Sequence, residues 1–248
     1  MKVVAVIPAR YKSTRLPGKP LADICGKPMI WWVYNQVKMA KKIQEVYVAT
    51  DDKRIADVCE HYNIKYIMTS DNLPEHISRI HEVSECVQSD YYMCINGDEP
   101  LVDPISIDKI VPEEIKDDLF FGGAVRVLTD PAETIDFANL KVVLSDTGRC
   151  IYISRTPVPY PRGTLEFKYY KYVGIECFNK MALDFFVNTK QGNIEKVEDI
   201  DHLRFLENGK ELHFTLVDSE SISVDTPKDL EKVRNIIEAK ISSGEIKL

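Results

Sequence analysis

The sequence predicts an α/β fold: a Rossmann-like, mostly parallel sheet flanked by helices, with a β-rich insertion. Short runs rich in Val and Ile, such as Val3–Pro8, are typical of strands buried in a parallel sheet. Helical patterns separate these runs in the first half of the chain, so the strands need crossover connections. Strand patterns joined by short turns dominate the second half, which indicates the insertion.

The individual elements follow from local patterns. In the first half, strands are predicted at Val3–Pro8, Glu45–Thr50, Lys65–Met68 and Tyr91–Asn96, with helices from about Met29 to Lys42, at Asp52–His61 and near Ser78–Val87. In the second half, strands are predicted at Gly123–Val127, Leu140–Leu144, Cys150–Ser154 and Leu212–Val217, with a helix at Glu195–Leu206. Thr226 and Pro227 suit the cap and the first position of a final helix.

Composition excludes several classes of protein. The chain has 248 residues, 44% hydrophobic and 29% charged, as in globular proteins. A net charge of −7 argues against a general nucleic-acid binder. No apolar stretch reaches the length of about 18 residues that a membrane span needs. The apolar run after Lys2 is too short for a signal peptide, so we expect a cytoplasmic protein.

Cysteine usage gives no sign of a disulfide framework or a zinc site. The cysteines are scattered, with no C-x-x-C pair and no histidine at metal-binding spacing, so we expect free thiols. They are Cys25, Cys59, Cys86, Cys94, Cys150 and Cys177.

The loop after the first strand carries an unusual density of cations for an acidic chain. Arg10, Lys12, Arg15 and Lys19 lie within ten residues. Ligands of open α/β sheets bind beyond the carboxyl ends of the strands, where this loop lies. Guanidinium groups can bind phosphate oxygens in pairs and lysine acts as a point charge, so the loop can surround a triphosphate. A solvated basic loop is the alternative.

Two other phosphate-binding motifs are absent from this region. No G-x-G-x-x-G follows the first strand, so the dinucleotide signature is missing. Gly26-Lys27 is followed by Pro28 rather than Ser or Thr, which excludes a P-loop. The hydroxyls of Ser13 and Thr14 remain as further phosphate donors within the cationic loop.

Two aspartates stand at ends of predicted elements. Asp98 follows the fourth strand in a turn framed by Gly97 and Pro100, and Asp225 precedes the last helix. Carboxylates together with phosphate oxygens form the oxygen-rich set that Mg²⁺ prefers. Alone, each aspartate can equally be a turn former or a helix-entry residue.

The motifs resemble those of the CMP-Kdo synthetases, the 3-deoxy-manno-octulosonate cytidylyltransferases. Ile7–Leu21 matches the family pattern I-P-A-R-Y-x-S-T-R-L-P-G-K-P-L, and Gly26–Ile30 matches G-K-P-M-I. Sialic-acid cytidylyltransferases share a looser version, usually with Asn in place of Pro20. Further matches run in order along the chain: Val48–Asp51, Gly97–Pro100, Lys141–Val143, Ser154-Arg155, Leu203-Arg204 and Val224–Pro227.

The resemblance implies a fold of the nucleotide-diphospho-sugar transferase type and transfer of CMP from CTP to an acidic sugar such as Kdo, with release of pyrophosphate. It implies Mg²⁺ as cofactor and a homodimer. The acidic charge and the lack of a long apolar stretch lead us to expect no nucleic-acid or membrane partner. Residues 1–248 then form one domain, with a nucleotide-binding part at about 1–130 and an acceptor-binding and dimerisation part at about 131–220.

The resemblance also implies roles for individual residues. The catalytic set is Arg10, Lys19 and Asp98. The nucleotide contacts are Pro8, Ala9, Arg10, Ser13, Arg15, Lys19, Arg79, Asn96 and Asp98. The acceptor contacts are Arg155, Tyr172 and Glu198, and the metal ligands are Asp98 and Asp225.

The sequence departs from the family pattern on the acceptor side. Residues 75–80 (Glu-His-Ile-Ser-Arg-Ile) replace S-G-T-E-R-L. Asn96 and His202 each replace a Gln, while Tyr172 replaces a His and Glu176 a Tyr. These changes leave open a modified Kdo, another ulosonate, a sialic-type sugar, or a phosphate or phosphonate acceptor. A catalytically inactive homologue is a further alternative, against which the intact cations and aspartates argue.

Several side chains receive structural interpretations. We expect His76 and His81 to be surface residues of a helix, and Trp31 and Trp32 to be core or dimer contacts. Arg155 can form a surface salt bridge instead of binding an acceptor. Tyr172 can be an altered sugar contact or an aromatic side chain in the pocket wall.

Overall fold

The computed structural model describes residues 1–12, 15–73, 75–219 and 221–246. Along these residues the strands are β1 Val3–Ala9, β2 Asp23–Ile24, β3 Lys27–Pro28, β4 Glu45–Thr50, β5 Tyr66–Met68, β6 Tyr91–Ile95, β7 Phe121–Val127, β8 Lys141–Leu144, β9 Cys150–Ser154, β10 Tyr170–Phe178 and β11 His213–Leu216. The helices are α1 Met29–Lys38, α2 Lys53–His61, α3 His76–Cys86, α4 Pro104–Ile110, α5 Pro131–Ile135, α6 Lys180–Asn188, α7 Asn193–Glu198, α8 Leu203–Glu207 and α9 Pro227–Ser242, with a 3-10 turn at Lys19–Leu21.

The main sheet is mostly parallel. Its order is β11-β7-β10-β6-β1-β4-β5, and β8 and β9 extend from β10. β1 runs parallel to β4 and β6, β4 to β5, and β11 to β7. β10 is antiparallel to both β6 and β7. The predicted fold class, a mostly parallel sheet flanked by helices, is therefore confirmed.

The side chains of β1 point alternately to the two faces of the sheet and pack into two hydrophobic layers. Ala5 and Ile7 pack into one core under α1, α2 and α4. Val4 and Val6 pack into the other, under α3, α6 and α8. Because successive side chains of a strand point to opposite faces, one uninterrupted apolar run serves both layers. Helices on both faces leave the carboxyl ends of β1 and β6 open for a site.

The final helix packs against the beginning of the chain. α9 buries Leu230, Val233 and Ile237 against a cluster that includes Met29 and Trp32. Thr226 caps this helix, as predicted, and exchanges hydrogen bonds with Asp229 in a capping box. Trp32 is buried and donates its Nε1–H to the Ile24 carbonyl at 2.8 Å, which agrees with the expected core role.

Two predicted helices differ from those observed. The predicted helix Glu195–Leu206 is two short helices, because Asp199 adopts the left-handed conformation (φ 54°) and its N–H closes the first helix on the Glu195 carbonyl. α1 ends at Lys38 rather than Lys42, because the Lys42 backbone N–H donates to the Asp108 carboxylate at 2.8 Å instead of continuing the helix.

Other features bear on the expected class of protein. Within the part of the chain that the structure describes, no helix has both the length and the apolar character needed to cross a bilayer. All six cysteines are free thiols, as predicted. The sequence patterns did not reveal β10, α4, α5 or α6 as elements.

Candidate active site

The candidate site begins where two neighbouring parallel strands end. Pro8 and Ala9 close β1, and Asn96-Gly97-Asp98 follow β6. The two chain segments pass so close that a Cβ on Gly97 would lie 2.7 Å from the Pro8 carbonyl oxygen. Only glycine fits there, and its absence of a side chain lets the two loops approach side by side.

Asp98 and Asp225 lie together at this edge, although 127 positions separate them (225 − 98). The Val224 N–H donates to the Asp98 carbonyl at 2.9 Å and so brings the start of α9 to the loop after β6. Lys19 Nζ lies 2.6 Å from Asp98 Oδ2 and 3.2 Å from Asp225 Oδ1. Burial disfavours the ammonium ion, but the two carboxylates outweigh it and raise the pKa of Lys19.

The acid pair fits a magnesium ion. Within the described residues, Oδ1 of Asp98 is buried and accepts no hydrogen bond. A buried carboxylate oxygen without a partner is costly unless a donor or a cation satisfies it. Mg²⁺ is commonly held by one or two carboxylates together with phosphate oxygens and water. The role of Asp98 and Asp225 as metal ligands stays a prediction that this arrangement favours.

The cationic loop lies across the same edge. Arg15 forms an ion pair with Asp225 at 2.9 Å, and Arg10 donates a hydrogen bond to the Leu73 carbonyl. Lys12 also faces the cleft. Ser13, a predicted nucleotide contact, lies outside the described residues. The described cations of the loop thus converge on one opening beside the acid pair.

The opening is a cleft of two adjoining cavities, of about 640 and 900 Å³. Pockets for small ligands typically measure about 300 to 1,000 Å³. The two cavities share Arg15, Asn96, Asp98, Leu140, Tyr172 and Asp225. The smaller one also contains Pro8, Ala9, Arg10 and Lys19, and the larger one contains Arg155 and Lys171. The cleft therefore brings together most of the predicted nucleotide contacts and two of the predicted acceptor contacts, Arg155 and Tyr172.

Arg79 does not line this cleft. Its side chain is fully buried on α3, where it donates to Thr69 Oγ1 and to Asp51 Oδ2, the latter at 3.2 Å. The structure therefore does not bring Arg79 to the position expected of a nucleotide contact. Its neighbours Ile77 and Ile80 face the core, so α3 directs Arg79 towards the loop after β4.

Glu198 forms hydrogen bonds that hold Arg155 in place. Its carboxylate accepts hydrogen bonds from Ser154 Oγ at 2.7 Å and from the Arg155 backbone N–H at 3.0 Å. The Arg155 guanidinium donates to the Glu198 and Asp199 carbonyls at 2.6 and 2.8 Å. Arg155 thus lines the larger cavity as a fixed side chain, while Glu198 holds the segment that carries it.

The prediction that His76 is a surface residue is wrong. Its Nε2 lies 3.1 Å from Glu176 Oε2 and its Nδ1 lies 3.1 Å from Asp201 Oδ2. Burial opposes protonation, but the two carboxylates raise the pKa of His76 to about 10. His81 is also partly buried, with its Nε2 2.9 Å from Asp184 Oδ1. The helical pattern of the sequence gave no indication of the carboxylates that contact these two histidines.

Glu176 is the centre of a polar network in the cleft wall. It accepts a hydrogen bond from Tyr172 Oη at 2.6 Å and lies 2.5 Å from His202 Nε2. Although burial disfavours its charge, the neighbouring His76 and His202 hold its pKa well below the usual range. Tyr172, Glu176, His202 and the segment containing His76 are among the places where the sequence departs from the family pattern. These changed residues contact one another in the structure. Their joint occurrence was the signal in the sequence that could have indicated this network.

Comparisons with known proteins identify the family of the chain. The family profile described as Cytidylyltransferase matches residues 4–212. A 3-deoxy-manno-octulosonate cytidylyltransferase from Koribacter versatilis is 37% identical over 244 residues, covering 97% of this chain and 92% of the relative. An 8-amino-3,8-dideoxy-manno-octulosonate cytidylyltransferase from Shewanella frigidimarina is 36% identical over 237 residues, covering 94% and 97%.

Solved structures point to the same family and the same fold. The chain superposes on a CMP:2-keto-3-deoxy-manno-octonic acid synthetase complexed with CTP with a TM-score of 0.90 and 35% identity, covering 97% of this chain and all of the other. A putative glucose-1-phosphate thymidylyltransferase from Bacillus anthracis shares the fold, with a TM-score of 0.69 at 16% identity over 94% of each chain. The matching profile and the near-full-length relatives together show that the chain belongs to the cytidylyltransferase family, in its CMP-Kdo synthetase group.

Proposed function

We propose that this protein transfers CMP from CTP to a 3-deoxy-octulosonate acid, such as Kdo or its 8-amino derivative, and releases pyrophosphate. The observation that carries the proposal is the meeting of the cationic loop with Asp98 and Asp225 at the carboxyl edge of β1 and β6. Relatives named for both acceptors match this chain over more than nine-tenths of its length.

In this proposal, the cationic loop holds the triphosphate. Arg10, Lys12, Arg15 and Lys19 line the smaller cavity and offer donors to phosphate oxygens. In the reaction, a hydroxyl oxygen of the acceptor attacks the α-phosphorus, the bond from this phosphorus to the bridging oxygen of the β-phosphate breaks, and the hydroxyl proton leaves. Cations fixed beside the phosphates stabilise the charge that develops on the departing pyrophosphate.

Asp98 and Asp225 are the residues that would hold Mg²⁺. When bound, the ion supplies charge neutralisation at the α-phosphate and lowers the pKa of a coordinated hydroxyl. Lys19, which bonds both carboxylates, is placed to exchange these hydrogen bonds for phosphate oxygens. The residues contribute chiefly by aligning two anionic reactants that would otherwise repel each other.

The acceptor would occupy the larger cavity. Arg155 and Lys171 line that cavity, and the carboxylate of an acidic sugar is complementary to their charge. Burial lowers the pKa of the Lys171 ammonium, so a bound anion would favour its charged form. Tyr172 lies between the two cavities, where both substrates would have to meet.

We infer a cytoplasmic homodimer as the working form. Ile151, Tyr160 and Leu165 are exposed in the segment that begins with β9, with Tyr160 84% and Leu165 86% exposed. Exposed apolar side chains that cluster in one segment are typical of a contact surface. Sedimentation analysis of the wild-type chain and of a Leu165→Asp variant tests this point: the variant should shift towards monomer.

The decisive test is pyrophosphate release from CTP with Mg²⁺ and a panel of acids: Kdo, 8-amino-Kdo and sialic acid. Turnover with one of the two octulosonates and not with sialic acid supports the proposal and identifies the acceptor. An Asp98→Asn protein should bind CTP but release no pyrophosphate. CTP binding without turnover on any acid would contradict the assigned acceptor class, and absence of CTP binding would contradict the family activity.

A further inference from the structure

A second group of potential metal ligands lies in the wall of the cleft. His76 on α3, Glu176 on β10 and His202 just before α8 place their ligand atoms within 4.8 Å of one another. Two imidazole nitrogens and one carboxylate oxygen form a ligand set that zinc and other divalent transition metals use, leaving a further coordination position open. Three separate elements supply the ligands, so the fold itself assembles the group.

The distances suit a shared ion. His76 Nε2 lies 3.1 Å from Glu176 Oε2, and His202 Nε2 lies 2.5 Å from Glu176 Oε1. Ligands bound to one zinc ion at about 2.0 to 2.2 Å stand within about 3 to 4 Å of each other. Small side-chain adjustments are therefore enough to accommodate an ion among these atoms.

Neighbouring side chains fix two of the ligands. The other ring nitrogen of His76, Nδ1, lies 3.1 Å from Asp201 Oδ2. Metal-binding histidines almost always donate their second N–H to a carboxylate or carbonyl, which orients the ring. Tyr172 Oη donates to Glu176 Oε1 at 2.6 Å and holds the carboxylate in the same way. This outer support is the arrangement expected around a metal centre.

The group of three ligands is buried on all sides except the one that faces the cleft. The side chains of Glu176 and His202 are 1% and 4% exposed, whereas that of His76 is 28% exposed and faces the cleft. A fully buried carboxylate is costly unless cations or donors compensate it. We propose that His76, Glu176 and His202 bind a divalent transition-metal ion, such as Zn²⁺ or Co²⁺, with its free coordination position directed into the cleft.

This site differs from the acid pair in chemistry. Asp98 and Asp225 offer only oxygen atoms, which suit Mg²⁺, whereas imidazole nitrogen favours zinc, cobalt and nickel. A similar group at His81, Glu85 and Asp184 already has a lysine ammonium among its ligand atoms, since Lys180 Nζ lies 2.6 Å from Asp184 Oδ1 and 3.2 Å from His81 Nε2. That second group serves as an internal comparison.

The test is a Co²⁺ titration of the chelator-treated full-length protein, followed by visible absorption and calorimetry. Asp98→Asn serves as the background, so that Co²⁺ at the acid pair does not contribute. We expect about one bound Co²⁺ per chain, with the intense visible bands of a site of low coordination number. His202→Asn and Glu176→Gln should abolish the bands, and His81→Asn should leave them unchanged.

An additional variant guards against a folding artefact. Asp201→Asn keeps all three ligands, so it should fold normally and weaken Co²⁺ binding by about 10- to 100-fold, as loss of an outer carboxylate does elsewhere. Circular dichroism monitors folding of every variant. The proposal is overturned if the background protein shows no Co²⁺ bands, or if well-folded His202→Asn or Asp201→Asn binds Co²⁺ as tightly as the background. The background lacks transferase activity in either case, so the outcome is independent of the proposed function.

Discussion

The ammonium group of Lys19 lies 2.6 Å from Oδ2 of Asp98 and joins the loop after β1 to the loop after β6. Both side chains are largely buried at the edge of the cleft, 16% and 20% exposed. Charge-assisted hydrogen bonds of this kind are stronger than neutral ones, and this one links the cationic loop with the acid pair. Loss of Lys19 therefore affects both parts of the proposed site.

Replacement of Lys19 by Ala should reduce kcat by about 100- to 1,000-fold, the usual cost of losing one donor that stabilises transition-state charge. Pyrophosphate release measures the effect, and thermal unfolding shows whether the fold is intact. Lys53→Ala, at an exposed position at the start of α2, is the matched control and should retain wild-type turnover. A Lys19→Ala enzyme with normal kcat would exclude the proposed role.

Gly97→Ala should destabilise the protein by about 1 to 3 kcal/mol, because the added Cβ would meet the backbone carbonyl of Pro8 at 2.7 Å and the strands must move apart. Turnover should fall as well, since Asp98 would shift. Denaturant unfolding measures the stability. Gly163→Ala, where an added Cβ meets nothing within 4 Å, is the control and should leave both quantities unchanged. Equal stability of the two variants would contradict the close contact between Gly97 and the Pro8 carbonyl oxygen.

Arg204→Met should cost about 3 to 5 kcal/mol of unfolding free energy, because it leaves the buried carboxylate of Glu195 without its cation. Arg204 donates to Glu195 at 2.6 and 2.9 Å and to Glu75 at 2.8 Å. The matched control is Arg149→Met. The Arg149 guanidinium forms an exposed ion pair with Glu211 at 3.7 Å, and such pairs contribute little. Similar losses in both variants would show that the Arg204 pair is not a stabilising contact.

Thiol reactivity should depend on burial and on pH. Burial raises the pKa of Cys59 and Cys150 to about 12, so at pH 8 almost none of either thiol is ionised and able to attack a disulfide reagent. Cys86 is exposed and should react first with Ellman's reagent, followed by the partly exposed Cys25. Denaturation should release the remaining thiols. Rapid reaction of four or more thiols in native protein at pH 8 would contradict this burial pattern.

Several individual elements of the fold were predictable because their signals are local. β4 and β9 have the predicted bounds, and Thr226 and Pro227 mark the start of α9 as expected. Apolar runs and helix caps depend only on residues that are close in the sequence, so they can be recognised in a single sequence. The break at Asp199 was not predictable in this way, because a left-handed conformation at an aspartate leaves no periodic trace.

The candidate site was predictable only in part. Motif order pointed to Lys19, Asp98 and Asp225, which do lie together. The contacts among His76, Glu176 and His202 depend on three elements far apart in the chain, so spacing gave no indication of them. Arg79 shows the converse: its residue type and position matched a nucleotide contact, although the motif around it differs, yet the packing of α3 buries it away from the cleft.

The antiparallel placement of β10 between β6 and β7 has a consequence for how substrate choice can change. Tyr172 lines the cleft from this strand, and Glu176 is buried in the wall beside it. The cationic loop and Asp98 instead follow β1 and β6. In the proposed enzyme, the two substrates are thus recognised by separate stretches of chain. A variant library confined to β10 and residues 199–202 would therefore change the acceptor pocket and leave the residues proposed to bind the nucleotide unchanged.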